Sequence, residues 1–325
     1  MHTVSLFLEK PHLLIDVRSP SEYLQGHIPS AHNIPLFSDE ERALIGTLYK
    51  QKGKDKAIYE GLRIVGPRLT SFLDQVHHLH PSTKDLRIYC ARGGMRSSAM
   101  SWLFSLYGFS CHLLQGGYKH FRAWVRTMFE QPYPLVLLGG LTGSGKTALL
   151  HQLAQQGEFV LDLEEHAQHK GSSFGGLSAH KQPSCEHFEN LIATTLALHI
   201  GKQRIWIEDE SARIGTCSIP KGLWDQMSSA PVLWLEAPIA KRITHLIHEY
   251  GTYPKSALIE ATLRLQKRLG REKTTHIIYL LEQDDLHLAA KELLTYYDTT
   301  YIYAFQKRNR RRILWDGSLN SLLFL

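Results

Sequence analysis

The sequence predicts an α/β protein of two parallel-sheet domains, the second closing in a largely helical region. Three observations predict it. Short apolar runs alternate with helix-compatible stretches along the chain. Two prolines in three residues, in Gln131-Pro132-Tyr133-Pro134, interrupt that series. A length of 325 residues exceeds one ordinary core and suits two. With 43% hydrophobic and 21% charged residues, the composition excludes a disordered or fibrous chain.

The expected domains are therefore 1–129 and 130–325. In the first, apolar runs at 13–15, 87–89 and 112–114 read as strands, with a helical pattern over 97–107. In the second, 135–138 is wholly apolar, as a buried parallel strand is, and 159–161, 204–207 and 232–235 continue the series. The stretch 148–156 reads as a helix, and 256–294 as largely helical.

Charge and cysteine usage narrow the function classes. Lys and Arg number 37 against 31 Asp and Glu, a net charge of +6 with the 19 His neutral. That permits a nucleic-acid partner without demanding one. Cys90, Cys111, Cys185 and Cys217 form no Cys-x-x-Cys pair, so one working thiol in a reducing cytosol fits better than a disulfide or zinc framework. The histidines, including His77-His78 and His245/His248, lack a completing carboxylate or cysteine set, so no resident metal is expected. No signal peptide opens the chain and no run of 18 apolar residues spans a membrane, so the expected location is the cytoplasm.

The first chemical signal is Cys90-Ala91-Arg92-Gly93-Gly94-Met95-Arg96-Ser97. A cysteine leaves a short strand, a glycine turn follows, an arginine arrives six residues on, and a helix begins. Inward-pointing backbone N–H groups in such a loop, with the positive end of the next helix, favour thiolate over thiol. Cys90 is then a nucleophile, and Arg96 holds a tetrahedral oxyanion or the terminal charge of a persulfide or perselenide. Together with Asp16-Val17-Arg18-Ser19-Pro20 and Gly26-His27-Ile28-Pro29, this loop resembles the rhodanese domain, in which a loop cysteine carries sulfur. Asp16 and Arg18 match a fold-defining stretch and read as structural. The five residues between Cys90 and Arg96 also resemble the phosphatase and arsenate-reductase loop, so phosphatase chemistry is a rival here.

The second signal is Gly140-Leu141-Thr142-Gly143-Ser144-Gly145-Lys146-Thr147, set between an apolar strand and a helix, as a P-loop is. The glycines let backbone wrap a phosphate, Lys146 neutralises it, and Thr147 reaches magnesium where one binds. A strand-ending carboxylate should partner the loop; Glu208, Asp209 and Asp162 all qualify. A P-loop reads a diphosphate and not an adenine, so the motif leaves its ligand open.

A rhodanese-like loop followed by a P-loop NTPase-like α/β domain resembles the bacterial tRNA 2-selenouridine synthases, also described as tRNA 2-thiouridine geranyltransferases and selenotransferases. The resemblance extends to Glu41-Arg42, Gly46 to Gln51, Leu161-Asp162-Leu163-Glu164, His169 to Gly175 with Ser172 and Ser173, and Glu208-Asp209-Glu210-Ser211-Ala212-Arg213. Asp162, Glu164, Ser172, Ser173, Glu208, Asp209 and Arg213 are thereby implied as a second-domain site. Glu165-His166, Lys170 and Ala91 depart from the family pattern.

The resemblance implies a transferase that converts wobble 2-thiouridine to 2-selenouridine through S-geranyl-2-thiouridine. Geranyl diphosphate and selenophosphate are substrates, no cofactor is tightly bound, and a selenophosphate-producing enzyme is a functional partner. A tRNA partner needs basic surface. Lys307, Arg308, Arg310, Arg311 and Arg312 offer it, as do Arg264, Lys267, Arg268 and Arg271, whose spacing puts them on one helical face. The rival functions are a cysteine-dependent phosphatase or sulfurtransferase fused to a kinase-like domain, and a non-catalytic nucleotide sensor on a rhodanese scaffold.

Overall fold

The computed structural model describes residues 2–177, 181–199, 204–307 and 312–315. The chain divides into two compact units: residues 1–128 with 189–197, and residues 129–188 with 198–325. Each is a parallel sheet covered by helices.

The first unit runs α1 (His2–Glu9), β1 (Leu13–Asp16), α2 (Pro20–Gln25), β2 (His32–Asn33), α3 (Asp39–Lys52), α4 (Lys54–Val65), α5 (Leu69–Leu79), β3 (Asp85–Tyr89), α6 (Met95–Leu106), β4 (Ser110–Leu113) and α7 (Gly117–Glu130). Its strand order is β2-β1-β3-β4, every pairing parallel, with Ile15 opposite Ile88 and Ile88 opposite Leu113. The core beneath includes Ile15, Ile88, Phe72, Val76, Met100 and Phe104. A buried ion pair, Arg18 Nη2 to Asp16 Oδ2 at 2.6 Å, also donates to the Gly26 carbonyl. It ties the 26–35 segment to the end of β1, a structural task.

The α3–α4 hairpin was not anticipated from the sequence. Its local signals are nonetheless plain. Ser38 and Glu41 form a reciprocal cap at the start of α3, acidic residues fill the first turn, and Lys50 and Lys52 the last. Gly53, at φ +88°, makes the turn into α4.

After α7 the chain continues with β5 (Leu135–Gly139), α8 (Lys146–Gln155), β6 (Phe159–Leu161), α9 (Leu163–Ala167), α10 (Cys185–Ala197), whose residues 189–197 belong to the first unit, β7 (Ile205–Glu208), the hairpin β8 (Arg213–Ile214) and β9 (Cys217–Ser218), α11 (Lys221–Ser229) and β10 (Val232–Leu235). Helices α12 (Ile239–Tyr250), α13 (Lys255–Leu263), α14 (Gln266–Leu269), α15 (Arg271–Glu282) and α16 (Leu286–Lys307) and strand β11 (Arg312–Trp315) follow. The main sheet has the parallel order β11-β10-β5-β7-β6. Leu138, Leu150 and Trp206 pack under it, and Phe174, Leu258, Ile277 and Leu281 form a separate apolar cluster with the last helices.

One expectation is corrected. Arg264, Lys267, Arg268 and Arg271 do not share one helical face: Arg264 caps α13, Lys267 and Arg268 lie on α14, and Arg271 opens α15. Gly270, at φ +85°, breaks the helix between them. Arg312 opens β11, which pairs with β10. Arg308, Arg310 and Arg311 lie outside the described residues.

Both signal loops follow an interior strand of a parallel sheet: β3 leads into Cys90, and β5 into the P-loop. Carboxyl ends of interior strands are where open α/β sheets bind ligands.

Candidate functional site

At the end of β3, Cys90 is 3% exposed and packs in the core of the first unit. Its sulfur is not in hydrocarbon alone. The Gly94 backbone N–H donates to Sγ at 3.3 Å, and Ser97 Oγ lies 3.2 Å away. Burial pushes the thiol up, but hydrogen bonds from Ser97 and the Arg92 and Gly94 backbone outweigh it and hold Cys90 below the ordinary 9.0. The loop above it, Arg92 to Met95, is exposed.

The loop is held open from the following turn. Tyr118 N donates to the Cys90 carbonyl at 2.8 Å and Lys119 N to the Ala91 carbonyl at 2.9 Å. Gly117 sits at φ +58°, and a Cβ there would collide with the Cys90 carbonyl and Gly93 N. Gly93, at φ +64°, is equally confined, by Leu114 O and Gly116 N. Substitution at either glycine would deform the thiol's surroundings.

Arg96 has a partner that the sequence did not disclose. Its Nη1 lies 2.6 Å from Glu22 Oε2 and its Nη2 donates to Oε1 at 3.3 Å, while Arg42 Nε approaches the same carboxylate at 3.8 Å. Burial raises Glu22, but Arg96 outweighs it and holds the carboxyl below its usual value. Arg96 is thus oriented by Glu22 at the rim of the loop, where a fork of donors can be passed to an incoming oxyanion. Ser97, too, has a role that its position at the end of the motif does not reveal. Its place at the third position of α6, 1% exposed, makes it the side chain that holds the sulfur.

Ser97→Ala should therefore raise the Cys90 pKa. With the thiol lowered in the native protein, thiolate is present at a pH where an ordinary cysteine is still protonated. Alkylation of the Cys90 peptide by iodoacetamide, followed by mass spectrometry across pH, should show its midpoint move up by about one unit in Ser97→Ala. An unmoved midpoint would show that the backbone alone sets the ionisation.

In the second unit the P-loop runs from Gly140 to Lys146, the first residue of α8. Gly143, at φ +78°, packs so closely on Arg242 that a Cβ would lie 2.9 Å from its carbonyl. Arg242, 3% exposed, donates from Nε to the Thr142 carbonyl at 2.8 Å and pairs with Asp298 of α16 at 2.5 Å. This buried clamp, invisible to motif reading, fixes the loop against α12 and α16. Among the described residues, Ser144 Oγ is buried without a hydrogen-bond partner, a donor left over inside a phosphate loop.

The carboxylates sort themselves by geometry. Glu208, at the end of β7, accepts from Thr147 Oγ1 at 3.2 Å and lies 3.4 Å from Lys146 Nζ. Asp209 accepts from Tyr301 Oη at 2.9 Å. Asp162 caps α9 through Glu165 N at 2.8 Å, with His151 Nε2 at 3.4 Å. Glu208 is thus the carboxylate on the P-loop threonine. Ser173 accepts Arg264 through its carbonyl at 2.9 Å, and Arg213 is exposed on β8.

A cavity of about 340 Å³ lies over the P-loop, lined by Thr142, Lys146, Thr147, Glu164, Ser172 and Glu208, with Glu210, Asp209 and Arg268 also on its wall. It shares Thr142, Ser172, Leu246, Tyr250 and Tyr297 with an adjoining apolar pocket of about 80 Å³. Leu258, Leu281, Leu286 and Leu294 line that second pocket. A polar head space therefore joins an apolar recess.

Burial and mutual repulsion hold Glu164, Glu210 and Glu208 above the usual carboxylate value of 4.5. Raised carboxyls bind extra protons in the folded state, so stability is full below pH 4.5 and falls as pH climbs through the raised values. Glu164→Gln removes that loss. Thermal melts should match wild type at acid pH and show the variant more stable by several degrees at pH 8, an effect of about 1–3 kcal/mol. A variant no more stable than wild type at pH 8 would mean that Glu164 carries no penalty there.

Among the described residues, His12, just before β1, Asp85, the first residue of β3, and His112 on β4 form one further cluster, their ligand atoms within 4.8 Å of one another. Lys10 Nζ already lies 3.2 Å from His112 Nδ1. No described helix is long and apolar enough to cross a membrane.

Residues 3–123 match the rhodanese-like domain, and residues 131–262 match the tRNA 2-selenouridine synthase AAA domain. A tRNA 2-selenouridine synthase of Pseudomonas fluorescens is 34% identical over 95% of this chain and 93% of its own length. The chain belongs to the tRNA 2-selenouridine synthase family. A second member, from Bordetella bronchiseptica, is 35% identical over 95% of this chain and 92% of its own, and one from Sulfurovum sp. is 36% identical over 95% and 93%. Within the tRNA 2-selenouridine synthase family, then, the P-loop and the Cys90 loop belong to two separately recognised modules.

Proposed function

We propose that this chain is a transferase that converts wobble 2-thiouridine of tRNA into 2-selenouridine by geranylation followed by selenation. The observation that carries the reading is the pairing of a phosphate loop with an adjoining apolar pocket, in a chain that separately holds a lowered thiol. A nucleotide would ask for a base site; a polar head space opening onto leucines suits a diphosphate with a hydrocarbon tail.

In the first step Lys146, the loop N–H groups and Ser144 take the diphosphate of geranyl diphosphate. The 2-thio sulfur attacks the allylic carbon, the C–O bond to diphosphate breaks, and S-geranyl-2-thiouridine forms. Thr147 and Glu208 are the groups placed to hold magnesium, which would add positive charge to the leaving diphosphate. Alkylation matters because thiocarbonyl sulfur leaves poorly, whereas the S-alkyl form departs as a thiol.

In the second step the Cys90 thiolate attacks carbon 2, and geranylthiol leaves as the C2–S bond to the isoprenoid breaks. The selenium of selenophosphate then displaces the Cys90 thiolate from carbon 2, and water cleaves the Se–P bond, releasing phosphate and 2-selenouridine. Arg96 and the loop amides hold the oxyanions. Selenophosphate must be supplied by a selenophosphate-producing enzyme. Arg264, Lys267, Arg271 and Lys307 are exposed and offer phosphate contacts.

Nucleoside mass spectrometry of thiolated tRNA incubated with the protein and both donors tests this reading. 2-Selenouridine should form only with both donors, and omission of selenophosphate should leave the geranylated base. Phosphate release without any change in the RNA would favour a phosphatase instead.

A further inference from the structure

The helical hairpin of the first unit carries an apolar groove that the two-step reading leaves unused. It has a volume of about 290 Å³ and walls from Ile45, Tyr49, Ile58, Leu62 and Met95. Its floor is cut by small residues. A Cβ on Gly61 would lie 3.3 Å from the Phe37 ring, and one on Gly46 would lie 2.8 Å from Arg42 Nη1. Leu62 is 65% exposed, Met95 50% and Tyr49 48%, so hydrocarbon is presented to water along one channel.

The channel runs to the thiol loop. Met95 and Arg96 line it and are also the first two residues of α6, directly after Gly94, whose amide donates to Cys90 Sγ. Its polar edge is cationic: Arg42 and Arg96 both reach it, converging on Glu22. An occupant must therefore be apolar in its body and anionic where it leaves the groove, beside a sulfur nucleophile. A free hydrocarbon lacks the anion, and a protein helix has no reason to end at the thiol.

The geometry points to the groove as the seat of the isoprenoid chain of S-geranyl-RNA during selenation, with Arg42 and Arg96 facing the phosphates next to the modified base. This inference rests on the two-step function proposed above and deepens it. The chain is held here while the C2–S bond breaks, and geranylthiol leaves through the same channel. The apolar recess beside the P-loop serves the donor; this groove serves the intermediate.

The test compares two anticodon stem-loop RNAs, one carrying S-geranyl- and one S-methyl-2-thiouridine, with the full chain and selenophosphate. The quantity read is the ratio of kcat/KM values for 2-selenouridine formation within each protein, so the folded fraction cancels. Wild type should favour the geranyl RNA by at least about tenfold, as burial of several methylenes requires. Leu62→Asp, which charges the wall, and Ile58→Trp, which fills the channel, should each bring the ratio to within about twofold of unity. A geranyl preference retained in both variants, or a wild-type ratio near one, overturns the groove assignment and leaves the two-step reading standing. A ratio that falls only as a dimer dissociates, seen by sedimentation, assigns the groove to a second copy and also overturns it. Wild type that selenates neither RNA overturns the two-step reading itself.

Discussion

Cys90→Ala is expected to make S-geranyl-2-thiouridine from thiolated tRNA and to stop there, with selenation down at least about 10⁴-fold. The size of the loss follows from what the sulfur does. On the proposed mechanism it is the nucleophile that displaces geranylthiol from carbon 2, and neither Ser97 nor the loop amides can take its place. The arrest at the alkylated base follows from where the sulfur lies: the P-loop, Lys146 and Glu208 belong to the other unit. The truncation removes one buried sulfur from the core, a cost of about 1–2 kcal/mol that should leave the protein folded. Liquid chromatography with mass spectrometry of digested tRNA reads both products at once. Full selenation by the variant would remove Cys90 from the reaction.

Lys146→Ala should show the converse: geranylation reduced about 10²- to 10³-fold, with selenation of already geranylated RNA retained. Lys146 Nζ, 3.4 Å from Glu208, is the side-chain cation that Glu208 meets at the phosphate loop. On the proposed reading its removal loses charge stabilisation of the departing diphosphate. It also leaves Glu208 buried without its counter-ion, so that carboxyl rises further and takes a proton, which limits the stability loss near neutral pH. Geranyl diphosphate binding, measured by calorimetry, should weaken in step. Undiminished geranylation would give the P-loop to another ligand.

How much of this was legible in the sequence varies with the range of the interaction. The two loops are local devices: a strand, a glycine turn and a helix start lie within about ten consecutive residues, so residue types alone give their geometry. Long apolar runs such as 135–138 and 232–235 likewise mark interior strands, because both faces are covered. What failed to show was long-range. Glu22 meets Arg96 from 74 positions away, and Arg242 reaches Thr142 from 100. No spacing rule links such pairs. The basic stretch from Arg264 to Arg271 illustrates a different failure: the three- and four-residue spacing was right, but Gly270 in a left-handed conformation cut the helix that spacing presumes. Strand β2 escaped notice because two residues carry no periodicity.

The most direct test of two anion-holding loops acting in succession is a relay between the two variants. Thiolated tRNA is first treated with Cys90→Ala protein and geranyl diphosphate, repurified, and then given to Lys146→Ala protein with selenophosphate. Appearance of 2-selenouridine with release of geranylthiol is the predicted result, since each protein retains the loop that the other lacks. Recovery of unmodified 2-thiouridine after the first stage, or of unchanged S-geranyl-2-thiouridine after the second, would contradict the division of labour.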